Sequence, residues 1–227
     1  KVGFISLHID NGLANAFSLL ADSNYAGTPL VVTAGNKDVR KLAEGRSDLA
    51  QMASPFCKWS VEITHPEQYP SVLRRAFLEA STPPTGPVFI SFSGNSLDSK
   101  ANMEIFPSSK NFSLPEPDKN SVTTAVELLT SSNNPIILVG DRVSQYDAIN
   151  ETVVLAEQVG AEVYGHISTQ VNFPTNHPQY IGKLPWSSVR DRNTIQKLNK
   201  ADVIFAIGCP VFSDYFYVPK NPLNKNC

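Results

Sequence analysis

Phe4-Ile5-Ser6-Leu7-His8-Ile9-Asp10-Asn11-Gly12-Leu13-Ala14-Asn15-Ala16 reads as an apolar strand that ends in a histidine and passes through a glycine turn into a helix. Outward from it, the periodicity predicts a strand at 2–8, a helix at 12–23 and a strand at 29–34, then a strand at 58–63, a helix at 67–80 and a strand at 87–92. Strands alternating with helices in this way predict a parallel sheet. In such sheets the carboxyl ends of the strands border the ligand crevice, and a helix N-terminus brings unpaired backbone N–H groups to it. His8 is therefore the first candidate for chemistry, although a lone histidine at a strand end is more often a hydrogen-bonded structural group. Gly12 would let the backbone approach a ligand and Asn15 would offer an amide from the helix start, yet both residue types also occur at helix starts as local caps.

The second half repeats the pattern, with a helix at 121–131, a strand at 135–139, a helix at 146–159, a short strand at 162–164, a helix at 189–199 and a strand at 202–207. Ser93 to Asn120 is polar and without period, and so marks the interdomain connection. Ser168 to Trp186 holds three prolines and reads as a surface loop. The predicted organisation is a first domain over 1–95, a linker over 96–120 and a second domain over 121–227. The fold class is α/β: two open, mostly parallel doubly wound sheets with helices on both faces. The first sheet is expected to be incomplete, because about four strands fall short of the usual mean of about five to six and its apolar first strand would leave an unprotected edge.

At 227 residues, 41% hydrophobic and 18% charged, the chain can bury a substantial core. A formal charge of −2, with scattered Lys and Arg, gives no footprint for a polyanion, which argues against nucleic acid. No apolar run approaches the length of about 20 residues that a membrane helix needs, and the amino end lacks the order of a signal peptide, so a cytoplasmic protein is expected. Cys57, Cys209 and Cys227 are odd in number and widely spaced, which fits free thiols in a reducing compartment. Asn111-Phe-Ser and Asn150-Glu-Thr match the glycosylation triplet and read as ordinary surface loops.

The remaining motifs have structural readings. Val139-Gly140-Asp141-Arg142 follows a strand but lacks the further glycines of a dinucleotide fingerprint and the Lys-Ser/Thr of a phosphate loop, so a plain strand-to-helix turn is favoured. Ile207-Gly208-Cys209-Pro210 ends a strand in a tight turn, with no neighbouring base to activate the thiol. His166 and His177 fall in or near the proline-rich loop, where stacking or a solvent-facing position is expected, and His65 precedes a proline at a helix start. No metal-ligand spacing emerges.

Taken in order, Phe4-Ile-Ser-Leu-His8, Gly12-x-x-Asn15-Ala16, Thr28-Pro-Leu-Val-Val-Thr-Ala-Gly35, Arg46-Ser-Asp-Leu49, Lys58-Trp59 and Gly86-Pro-Val-Phe-Ile-Ser91 resemble the pyrimidine-binding domain of thiamine diphosphate-dependent decarboxylases and carboligases, on the benzoylformate decarboxylase branch. Asn134-Pro-Ile-Ile-Leu-Val-Gly140, Leu155-Ala-Glu157, Phe173-Pro174 with His177-Pro178, and Ile207-Gly208-x-Pro-Val-Phe212 resemble the central domain of the same enzymes.

The resemblance implies a non-oxidative reaction on a small-molecule 2-oxo acid, with thiamine diphosphate and Mg2+ in the intact enzyme and a homodimer or homotetramer as the assembly. It implies catalytic roles for His8, which would face the reacting centre and assist proton transfer, and for Tyr215, which stands where the benzoylformate decarboxylases carry a second histidine. A phenol with a reference pKa of about 10 cannot replace imidazole near neutrality, so the substrate or the protonation route is expected to differ. Gly12 and Asn15 are the implied cofactor-binding residues, and Ala43 and Glu44 align with a loop that approaches the substrate. The glutamate that activates the cofactor and the Gly-Asp-Gly segment that holds Mg2+ match nothing in this sequence, so these residues alone are expected to bind no cofactor and to be inactive. The competing readings are a non-catalytic α/β binding or assembly module of the same fold, and a nucleotide-binding protein, which would need a phosphate loop.

Overall fold

The computed structural model describes residues 1–107, 116–166, 170–184 and 191–211, together with Leu223 and Cys227. It divides into two compact units, Lys1–Leu114 and Pro115–Cys227.

In the first unit, β1 (Gly3–Leu7), β2 (Leu30–Asn36), β3 (Trp59–Ile63) and β4 (Pro87–Ser93) form an all-parallel sheet in the order β1-β2-β4-β3. β2 and β4 are central and read as continuous apolar runs, because a parallel strand covered on both faces has no polar side to show. The helices α1 (Asn11–Ala26), α2 (Leu49–Ala53), α3 (Tyr69–Ser81) and α4 (Gly94–Asp98) complete the unit. Leu13 and Leu20 of α1, with Leu49 and Ala53 of α2, pack on one face against Val32, Ala34 and Phe89. Ala76 and Ala80 of α3 pack on the other against Val31, Val88 and Ile90. Each fully buried side chain such as Leu13 or Phe89 contributes about 1.5–3 kcal/mol relative to exposure. α1 ends where Gly27 adopts φ 70°, its N–H returning to the Asn24 and Ser23 carbonyls. The apolar strand β1 lies at the sheet edge with Phe4 and Ile5 exposed, the unprotected edge that its composition implied.

In the second unit, β5 (Pro135–Val139), β6 (Glu162–His166), β7 (Tyr180–Leu184) and β8 (Val203–Ile207) form a second parallel sheet in the order β7-β6-β5-β8. Its helices are α5 (Lys119–Ser131), α6 (Arg142–Gln145), α7 (Ile149–Val159) and α8 (Arg192–Leu198). Val143 of α6 and Ala156 of α7 pack on one face with Ile137, Val139, Val163 and Phe173. Leu198 of α8 packs on the other with Ile136, Leu138 and Tyr164.

Four sequence expectations need correction. Residues 180–184, read as part of a loop, form the edge strand β7; its period is hidden by Gly182 at φ 135° and by a register shift opposite Val163/Tyr164. The helix expected at 146–159 begins only at Ile149, and a separate short helix, α6, precedes it at 142–145; Asp147 enters the left-handed region at φ 57° between them, and Ala148 N–H closes α6 on the Val143 carbonyl. Asn150, expected in a loop, lies in the first turn of α7. His166, expected in or near a loop, is the fully buried last residue of β6. Asn111 lies outside the described residues.

Candidate active site at the strand ends of the first sheet

All four strands of the first sheet run the same way, so their carboxyl ends share one rim: His8 after β1, Lys37 after β2, Thr64 after β3 and Gly94 after β4. The His8 side chain is exposed there. Its Nδ1 lies 3.0 Å from the Ile9 carbonyl oxygen, and a carbonyl can only accept. Nδ1 therefore carries the proton, and Nε2, which has no partner among the described residues, presents its lone pair outward.

Two local features hold the ring. Asp10 takes the strained conformation φ 52°, ψ −80°, which turns the chain sharply between β1 and α1. Gly12 sits directly behind His8: a Cβ there would stand 2.9 Å from His8 Cβ and 3.4 Å from the Leu7 carbonyl carbon. Asp10 caps no backbone N–H, and its Oδ1 is buried without a hydrogen-bond partner among the described residues. It is thus an acceptor held beside the histidine with no donor of its own.

The loop after β2 stands next along the rim. Its ends are tied together by Asn36 Nδ2, which donates to the Ser47 carbonyl at 3.0 Å, and by Arg46 Nε, which donates to the Lys37 carbonyl at 3.1 Å. Lys37 Nζ adds a bond to the Gly45 carbonyl at 3.2 Å, and Val39 N–H donates to Asn95 Oδ1 at 3.1 Å. Beneath the loop lies Glu62, the one charged residue of β3, whose Oε1 accepts from Asn36 Nδ2 at 2.9 Å, from Ser91 Oγ at 2.9 Å and from the Arg46 guanidinium. Ala43 and Glu44 lie at the end of the 3-10 turn Val39–Glu44 on this loop; their side chains are outside the described residues.

Asn15 lies exposed on the second turn of α1 and touches neither His8 nor Asp10 through any hydrogen bond. Tyr215 lies outside the described residues. The structure therefore brings His8 and Gly12 together and adds Asp10 and the Glu62 cluster, which the sequence reading did not single out. A signal for each was present: Asp10-Asn11-Gly12 is turn chemistry, and Glu62 is a lone charge in Trp59-Ser-Val-Glu-Ile63.

The second unit offers less. The Gly140 and Gly208 turns interlock: a Cβ on Gly140 would lie 2.4 Å from Cys209 Cβ and 2.6 Å from the Gly208 carbonyl oxygen. Asp141 Oδ1 accepts from Gln170 N–H at 2.9 Å and Asn172 Nδ2 at 3.0 Å, which fastens the loop after β6 to the turn after β5. A cavity of about 120 Å³ remains beside Asn172, Phe173, Tyr180 and Lys183. His177 packs edge-on against Phe173 and lies 3.3 Å from Glu157, and His65 caps the short turn Pro66–Gln68. Neither ring nitrogen of buried His166 has a hydrogen-bond partner among the described residues. Burial pushes its pKa down, opposed only weakly by the nearby Pro210 carbonyl, which makes no hydrogen bond of proper geometry. Burial also raises the thiols, Cys57 to about 12 and Cys209 to about 11, so neither is a nucleophile near neutrality. Among the described residues no group of three or more His, Cys, Asp or Glu side chains is placed to hold a metal ion, and no helix is long and apolar enough to cross a membrane.

The class defined so far is a pair of open parallel α/β sheets, the first carrying an outward imidazole on its strand-end rim. Residues 122–226 match the model of the thiamine pyrophosphate enzyme central domain. Over 96% of its length the chain is 28% identical to benzoylformate decarboxylase of Pseudomonas aeruginosa, and over 87% it is 27% identical to sulfoacetaldehyde acetyltransferase of Castellaniella defragrans. It covers 42% and 33% of those relatives, so it spans well under half their length. The structure of a thiamine diphosphate-dependent 4-hydroxybenzoylformate decarboxylase from Rhodococcus jostii is similar over the whole chain, with a TM-score of 0.86 and 29% identity, and 44% of that structure is covered. The chain is thus similar along its whole length to thiamine diphosphate-dependent enzymes, and its residues 122–226 match their central domain.

Proposed function

We propose that this chain supplies the pyrimidine-side and central domains of a thiamine diphosphate-dependent 2-oxo acid decarboxylase or carboligase, with His8 moving the proton at the reacting centre. The observation that carries the reading is the His8 geometry: an exposed ring on the strand-end rim, its Nδ1 proton held by the Ile9 carbonyl and its Nε2 without a partner among the described residues. A ring nitrogen with a free lone pair can accept a proton and return it within one turnover.

Thiamine diphosphate, when bound, supplies the electron sink for the pair left as CO2 departs, a task no side chain performs. The rim fits such a group in one respect, since Asp10 Oδ1, two residues past His8, is buried with no hydrogen-bond partner among the described residues and can accept from a bound donor. Asp10, with the backbone at Gly12, would position that group, and Asn15 stands further along α1. Among the described residues no group of three or more His, Cys, Asp or Glu side chains is placed to hold Mg2+. The Lys37–Ser47 loop, with Ala43 and Glu44, would form a wall toward the substrate.

The two relatives quoted carry different chemistry in their names, a decarboxylation and an acetyl transfer, and an exposed imidazole able to give or take a proton would serve either. An aryl 2-oxo acid is proposed as the substrate class on the likeness to benzoylformate and 4-hydroxybenzoylformate decarboxylases. We further assign the intact protein a homodimeric or homotetrameric state. The test is turnover of benzoylformate by the intact protein with thiamine diphosphate and Mg2+, followed by CO2 release. Replacing His8 by Ala should lower kcat about 10²–10⁴-fold with the cofactor Kd unchanged. If the His8→Ala variant turns over at the wild-type rate, the assignment fails.

A further inference from the structure

We propose that Glu62 is the positioning residue for the Lys37–Ser47 loop, fixing it beside the strand end that carries His8. A single carboxylate oxygen, Oε1, takes hydrogen bonds from Asn36, where the loop leaves the sheet, from Arg46, where it returns, and from Ser91 of the central strand β4. The loop's own ties, Asn36 to the Ser47 carbonyl and Arg46 to the Lys37 carbonyl, use the same two side chains. Glu62 thus holds the groups that hold the loop closed.

Packing makes the arrangement one with a single solution. The Arg46 side chain is 7% exposed and that of Glu62 18%, although the loop itself lies at the surface. A guanidinium that far out of water needs its carboxylate, and a carboxylate there needs several donors, so removing Glu62 leaves the Arg46 charge uncompensated and the loop ends without their common anchor. Short closed loops with tied ends keep one shape only while the tie survives. β1 and β2 are adjacent, paired at Leu7 and Ala34, so the loop that follows β2 borders the turn that bears His8. The role in catalysis rests on the reading given under the proposed function; the role in holding the loop does not.

The experiment uses the intact protein and the variants Glu62→Ala, Glu62→Gln and Arg46→Lys. Backbone hydrogen exchange followed by mass spectrometry should accelerate at least about tenfold over 37–47 in Glu62→Ala, less in Glu62→Gln, which keeps an acceptor, with β4 (Pro87–Ser93) unchanged. With benzoylformate, KM should rise about tenfold while kcat changes less than about twofold, and Arg46→Lys should retain most of the wild-type KM. Unaltered exchange over 37–47, or equal acceleration in β4, would overturn the positioning role, because the carboxylate would then be inert or a general core element. Faster loop exchange with an unaltered KM would overturn the catalytic part. Absence of turnover in the wild type defeats the proposed function instead and leaves the exchange result to decide the positioning role.

Discussion

Replacing Gly12 by alanine separates two roles for the turn behind His8. The new Cβ would stand 2.9 Å from His8 Cβ and 3.4 Å from the Leu7 carbonyl carbon, whereas carbon contacts are comfortable at about 3.5–4 Å. The His8 contact must therefore open by about half an ångström or more. His8 Cβ is the root of its side chain and not a flexible end, so the ring moves with it. Overpacking of this kind costs about 1–3 kcal/mol, and alanine in a helix returns about 1 kcal/mol over glycine, leaving a net loss of about 0–2 kcal/mol. For a unit of this size that is a fall in Tm of up to about 10 °C, within the range in which the protein stays folded at assay temperature. If a misplacement of about 1 Å costs about 10²-fold, half of it should lower kcat about tenfold. The assay pairs a thermal melt with kcat and the thiamine diphosphate Kd of the intact enzyme. A kcat equal to wild type would refute the claim that Gly12 sets the His8 ring. A weakened cofactor Kd with unchanged kcat would make Gly12 a cofactor contact and no more.

Other substitutions test the remaining physical claims. Asp202 accepts from Ser132 Oγ and from the Asn133 and Asn134 N–H groups, which holds its carboxyl down to about 2; that stability is present above the ordinary carboxylate pKa of 3.8 and is lost as pH falls toward 2, so Asp202→Asn should flatten the acid limb of the stability curve between these values. His166 is held neutral by burial, so its contribution is full above the ordinary histidine pKa of 6.5 and declines as pH drops below it; His166→Leu should gain on wild type in urea midpoint as pH goes from 7.5 to about 5.5, and a constant difference across that range would sink the argument. Gly140→Ala should destabilise the second unit by about 3 kcal/mol or more, because the Gly208 and Cys209 backbone atoms it meets cannot rotate away, and wild-type stability by calorimetry would show the turns to be loose. Alkylation at pH 8 should label exposed Cys227 well ahead of buried Cys57, and equal rates by mass spectrometry would contradict the packing of α1 and α2 on the first sheet.

The sheets were legible because parallel strands carry the strongest local pattern a sequence has, and Thr28 to Gly35 and Pro87 to Phe92 are nearly unbroken apolar runs with buried counterparts in space. What escaped was written in single backbone angles. Asp147, through one positive φ, separates α6 from α7 and moves the helix start to Ile149, and Gly182 bends β7 so that alternation fails over five residues. Neither leaves a periodic trace. The site was legible in part for a related reason. His8 announces itself as a polar residue at the end of an apolar strand, but the tie between Asn36, Arg46 and Glu62 spans sequence separations of 10 to 26 residues, and only the parallel register of β3 on β4 brings them together.

Strand order bears on why the proposed chemistry is assigned to one rim and not the other, although both units share an architecture. In the second sheet the order β7-β6-β5-β8 places successive strands on one side of β5 and returns to the other, so the switch point lies between β5 and β8, where an open α/β sheet ordinarily receives its ligand. That crevice is filled: Gly140 has no room for even a methyl group against Gly208 and Cys209, and Gly140 N–H bonds the Ile207 carbonyl at 3.0 Å. In the first sheet the corresponding strand ends carry an outward imidazole, a buried carboxylate oxygen with no partner and a loop tied at its base. A rim that has closed on itself stabilises by packing, whereas one that leaves an acceptor unsatisfied and a ring exposed costs stability that only a bound group recovers. Added thiamine diphosphate should accordingly raise the melting temperature of the intact wild-type protein and raise it less in Asp10→Ala, and an equal shift in both would place the binding energy elsewhere.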